Sequence, residues 1–109
     1  MFTDEIKEEL INGLLEILDD KIESIILYGS VARGDSTAES DIDIAIILRT
    51  DLNEDEKNIF IHWNAKLDIK YGKIFSIIDI RQEQLEKWGK SVPFYRTIQN
   101  EGVVLWRAA

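Results

Sequence analysis

Cysteine is absent from this chain of 109 residues. Disulfides, thiolate metal sites and thiol nucleophiles are excluded with it. Histidine occurs once, as His62 beside Trp63 on a predicted helix, which reads as a surface or helix-packing residue. No apolar run approaches the roughly 18 residues needed to span a membrane. The first 18 positions are interrupted by acids every few residues, unlike a signal peptide, so a cytoplasmic protein is expected. Basic residues are also scarce, 13 against 21 acidic ones for a formal net charge of -8. That balance disfavours the broad positive surface of a DNA or RNA binder and suits a basic partner protein. Any phosphate must be met locally, by backbone N–H groups, a metal ion and one or two basic side chains. Internal repeats, low-complexity tracts and domain linkers are missing too.

What remains is ordinary: 45% apolar residues in a length that supports one domain, residues 1–109, with one core. The substrate must therefore be small or be carried by another chain. Thr3 to Asp20 reads as a helix, with Thr3 as N-cap, Asp4 and Glu5 in the first turn, and Ile6, Leu10, Leu14, Leu15 and Leu18 at helical spacing. Ser24 to Tyr28 is β-branched and apolar, a buried central strand that Gly29 ends. Ser30 to Arg33 has room for one helical turn closed by Gly34, and Asp35 to Ser40 is loop. Asp41 to Leu48 is a second strand. Its alternation puts Asp41, Asp43, Ala45 and Ile47 on one face and Ile42, Ile44, Ile46 and Leu48 on the other, so the second face belongs to the core and the acidic face should open on a cleft.

Asn53, with Glu56 three positions on, forms a capping box for a helix whose buried stripe is Ile59, Phe60, Trp63, Leu67 and Tyr71, stopped by Gly72. The acidic run Asp51 to Glu56 serves helix capping and solubility. Lys73 to Ile80 is a third strand, with Asp79 as an acid in an apolar run. Gln82 to Trp88 and Pro93 to Glu101 are short helices ended by Gly89 and Gly102, and Val103 to Trp106 is the last strand. Trp63, Trp88 and Trp106 read as core or rim, or as a partner anchor. Alternating elements with short connections predict an α/β or α+β fold around about four strands.

Two features concentrate the chemistry. Asp41 and Asp43 share one face, roughly 6.5 Å apart at about 3.3 Å rise per residue. Carboxylates so close repel one another unless a cation lies between them. Gly29-Ser30 supplies the complement, since a glycine lets a phosphate approach the backbone, the following turn points N–H groups at an anion, and Ser30 adds a hydroxyl. Arg33 is within reach of the same phosphates. Nucleotidyl transfer asks for this combination of charge neutralisation and alignment, with two metal ions roughly 3.5–4 Å apart bridged by carboxylates. Taken singly, Gly29-Ser30 is a strand-ending turn, Asp41 and Asp43 a solvated edge, and Arg33 a surface cation.

In combination, Gly29-Ser30, Arg33-Gly34 and Ser40-Asp41-Ile42-Asp43, with Ser30 and Asp41 separated by 11 positions, resemble the signature of the minimal nucleotidyltransferases of the DNA polymerase β-like superfamily. The segment from Pro93-Phe94-Tyr95-Arg96 to Asn100-Glu101-Gly102-Val103-Val104-Leu105 resembles the C-terminal part of one branch of these small proteins, so the similarity runs through almost the whole chain. The resemblance implies a nucleotidyltransferase-like mixed sheet flanked by helices, ATP or another nucleoside triphosphate as donor, and two Mg²⁺ ions. It makes Gly29 and Ser30 the triphosphate contacts and Asp41 and Asp43 the metal ligands. Active members carry a third carboxylate on a neighbouring strand; Asp79 is the candidate for that catalytic and metal-binding role, with Ser76, of opposite facing, as the alternative residue turned to the site.

The resemblance further implies an antitoxin that transfers AMP to a tyrosine of a helical HEPN-domain ribonuclease toxin. Two other readings stand beside it. One is a non-catalytic protein that neutralises its partner by occlusion. The other is transfer to a small molecule of the aminoglycoside type, for which a homodimer could build the pocket across its interface.

Overall fold

The computed structural model describes residues 2–37 and 41–109. Ser40, part of the predicted loop and of the acidic motif, lies outside them. Helix α1, Asp4–Leu18, starts where the Thr3 hydroxyl accepts a hydrogen bond from the Ile6 N–H at 3.2 Å, capping one of the donors a helix start leaves open. It buries Ile6, Leu10, Leu14 and Leu18, one per turn. A single 3-10 turn leads into strand β1, Ile22–Tyr28. Helix α2 is one turn, Gly29–Arg33, and closes on Gly34 in the left-handed conformation. Strand β2 is Ile42–Leu48.

Helix α3, Glu54–Tyr71, begins with the complete Asn53–Glu56 capping box and ends at left-handed Gly72. Strand β3 is Phe75–Arg81, helix α4 Gln82–Trp88, helix α5 Pro93–Glu101 and strand β4 Val103–Arg107. The order across the sheet is β3-β2-β1-β4. β1 runs antiparallel to both β2 and β4, while β2 and β3 are parallel. The mixed α/β sheet with flanking helices is the predicted class.

The sheet carries two cores. On one face Ile25, Leu27, Ile42, Ile44, Ile46 and Leu48 pack with α1 and with Leu67 of α3. On the other, Ile26, Tyr28, Ala45, Ile47 and Ile80 pack with Ile98 of α5. This corrects the expectation that the acidic face of β2 simply opens on a cleft. Ala45 and Ile47, two and four residues beyond Asp43, are 0% and 2% exposed, because α4 and α5 supply a second, smaller hydrophobic layer there. The predicted α3 stripe is also narrower than expected. Leu67 is fully buried and Phe60, Trp63 and Tyr71 partly so, but Ile59 is 55% exposed, because it sits on the rim of the α1–α3 contact.

Candidate active site

Antiparallel pairing decides what meets what. The last residue of β1, Tyr28, is paired with Asp43 near the start of β2, so the turn that follows Tyr28 sits beside the acidic end of β2. Gly29 has φ +77°, a left-handed conformation that L side chains rarely adopt. A Cβ there would overlap the Asp43 Oδ2 and come within 3.2 Å of its Cγ. Glycine is thus required twice over, by the backbone angle and by the carboxylate lying against it. Ser30 follows as the second residue of α2.

Asp41, just before β2, is exposed; Asp43, inside β2, is half-buried. Burial first, and the neighbouring Asp41 charge second, push the Asp43 carboxyl above its ordinary range, with Arg33 opposing the shift. Burial and then the Asp43 charge also raise the Tyr28 phenol. The site is therefore one in which negative charge is under-compensated by the protein itself. Two hard carboxylate donors at i and i+2, with unbalanced charge, fit a small divalent cation such as Mg²⁺. Among the described residues there is no group of three or more His, Cys, Asp or Glu side chains disposed to hold a metal.

The parallel register of β2 and β3 locates the third expected ligand. Asp43 is paired with Ser76 and Ile46 with Asp79. Laterally paired residues share a face, so Ser76 stands next to Asp43, while Asp79 projects to the opposite side with Phe75 and Ile77. The register thus puts Asp79 on the face opposite Asp43 and brings Ser76, the alternative residue, beside it. The cause is strand parity: Asp79 lies three positions after Ser76, and an odd offset changes face.

Arg33 lies at the end of α2, its Nε 3.2 Å from Asp35 Oδ2 and its Nη1 3.4 Å from Glu101 Oε2. It is placed near the site, and these Nε and Nη1 contacts tie α2 to the end of α5. His62 is exposed on α3 with Nδ1 2.8 Å from the Asn58 carbonyl oxygen, a local helix contact. One neighbour of the site escaped sequence reasoning. The Phe94 ring meets the Tyr28 ring edge to face, centroids 5.7 Å apart. Only the tertiary contact of α5 with β1 places it there; its sequence signals are the position directly after Pro93 and its part in the Pro93-Phe94-Tyr95-Arg96 resemblance, neither of which points to Tyr28.

Residues 9–108 match the family model described as "Polymerase beta, Nucleotidyltransferase". The chain is 37% identical over 99 residues to "Putative protein adenylyltransferase MJ0604" of Methanocaldococcus jannaschii, covering 91% of this chain and 93% of that protein. It is 32% identical over 95 residues to "Putative protein adenylyltransferase MJ0141" of the same organism, covering 81% and 96%. Among solved structures, a toxin–antitoxin with AMP-PNP superposes with a TM-score of 0.66 at 22% identity, over 94% of this chain and 73% of that one. A tri-AMPylated Shewanella oneidensis HEPN toxin in complex with MNT antitoxin superposes at 0.60 and 19% identity, over 95% and 71%. At these identities the structural likeness establishes the fold.

Proposed function

Because this chain belongs to the polymerase β-type nucleotidyltransferase family, we propose that it transfers AMP from ATP to a hydroxyl of a partner protein, and that the partner is a HEPN-type toxin. Support for the acceptor class comes from the two relatives named as protein adenylyltransferases and from the AMPylated toxin complexed with a protein of this fold.

The observation that carries the reading is the contact between Gly29 and Asp43. The turn and the carboxylate are built against each other so closely that no side chain fits between them, which is what a triphosphate bridging a backbone turn and a carboxylate-held cation requires. In this reading Asp41 and Asp43 would hold two Mg²⁺ ions, which would offset phosphate charge and ease deprotonation of the incoming hydroxyl. Gly29 lets the phosphates approach the main chain, and the Ser30 hydroxyl donates to them. Arg33 exchanges part of its pairing with Asp35 and Glu101 for a phosphate oxygen. The acceptor oxygen bonds to the α-phosphorus as the bond to the β-bridging oxygen breaks; pyrophosphate leaves and the hydroxyl proton passes to solvent.

Incubation of the protein with α-labelled ATP, Mg²⁺ and the partner should label the partner, and Asp43→Ala should abolish the label. Undiminished label in the variant contradicts the mechanism. A second reading, neutralisation by occlusion without catalysis, is favoured by the placement of Asp79 away from the site. Under it, Asp43→Ala still neutralises the toxin; under transfer, that protection is lost.

A further inference from the structure

The face of the sheet that bears Asp43 continues into a cluster of aromatic rings. Tyr28, the cross-strand neighbour of Asp43, is 9% exposed and lies under the second core. Phe94 stands against it at 81° between ring planes and 6.2 Å from the Tyr95 ring. Although it is a large apolar residue in contact with that core, Phe94 remains 43% exposed. An edge-to-face pair uses at most one face of the outer ring, and beside its contacts with Tyr28 and Tyr95 much of Phe94 stays open to solvent. Pro93 at the first position of α5 fixes the backbone from which the ring projects.

We propose that Phe94, backed by Tyr28, is the platform on which the nucleobase of the bound nucleotide stacks. The inference rests on the nucleotide-binding reading of Gly29-Ser30 and Asp41-x-Asp43, and extends it from the phosphates to the base. The occupant is a nucleobase because the ring packs on Tyr28, whose cross-strand partner is Asp43, so Asp43, Tyr28 and Phe94 follow one another outward from the carboxylate. A planar, weakly hydrated ring matches an open aromatic face, and base-on-aromatic stacking is largely tolerant of base identity. Recognition at Phe94 thus adds affinity for nucleotide over bare polyphosphate, without discriminating strongly between ATP and GTP.

Equilibrium titration of the full chain with Mg-ATP and with Mg-tripolyphosphate tests this. Phe94→Leu keeps apolar bulk but removes the π-face, and should weaken Mg-ATP roughly tenfold while leaving tripolyphosphate unchanged. Phe94→Trp should restore or tighten ATP binding, with quenching of the new indole as the base arrives. Equal weakening of both ligands in Phe94→Leu, no change in either, or loss of partner binding with ATP affinity intact would each overturn the proposal. Wild-type protein that binds neither ligand would instead overturn the nucleotide-binding reading on which it stands.

Discussion

Gly29 is the residue on which the site depends most directly. Its φ of +77° and its approach to Asp43 mean that Gly29→Ala meets two penalties, about 1–3 kcal/mol of backbone strain and displacement of the Asp43 carboxylate. The expected outcome is a folded but less stable protein that has lost nucleotide binding, measured by thermal melting and titration. Melting unchanged from wild type would contradict the strain argument. Asp79 provides the opposite case. Because its register partner is Ile46 rather than Asp43, Asp79→Asn should leave Mg-nucleotide affinity within about twofold of wild type, as an exposed change away from any buried feature ordinarily does; a tenfold loss would show that it reaches the site. That the Asp41 and Asp43 charges lie close enough to act on each other was legible from their spacing. That Asp79 faces away was not, because the parity of a third strand is fixed by its pairing with β2, which no local pattern of β3 encodes.

At the scale of elements, caps and stops were the most readable features: Thr3 before α1, the Asn53–Glu56 box before α3 and Gly34 after α2 are all where local chemistry puts them. Such signals act within a few residues, so the sequence carries them whole. Contacts between elements were not readable. The second core under α4 and α5, the Phe94–Tyr28 pair and the Arg33–Glu101 bridge join segments far apart in the chain. The tie between α1 and α3 is of this kind. Glu9 accepts from Lys70 Nζ at 2.6 Å and from the Tyr71 hydroxyl at 2.7 Å, and these hydrogen bonds, Lys70 first, hold its carboxyl below the ordinary range.

A carboxyl whose pKa is lowered by folding contributes stability that is complete above the ordinary carboxylate range and is lost as pH falls through the lowered value. Glu9→Gln should therefore be slightly less stable than wild type at neutral pH, with the difference vanishing on acidification below that range. The pair is exposed, so solvent screening keeps the effect small and salt-sensitive. Denaturation curves across pH check it, and a difference that grows on acidification would reverse the assignment.

For the molecule as a whole, the low count of basic residues and the net charge of -8 fit a protein that meets phosphate at one point rather than along a surface. No helix among the described residues is long and apolar enough to cross a membrane. The architecture explains how the candidate site is assembled from neighbouring elements. An antiparallel pair brings the end of β1 to the start of β2, so one turn and two carboxylates become neighbours without a second layer of loops. The α1–α3 core fixes the back of the sheet, and α5 holds its aromatic ring over the front. The central claim is that Gly29-Ser30 and Asp41-x-Asp43 form one Mg²⁺-nucleotide site, and calorimetric titration with a non-hydrolysable ATP analogue, with and without Mg²⁺, tests it most directly. Wild-type protein should bind only with Mg²⁺, and Asp43→Asn should lose that binding while remaining folded. Binding that is indifferent to Mg²⁺, or equal in the two proteins, would contradict it.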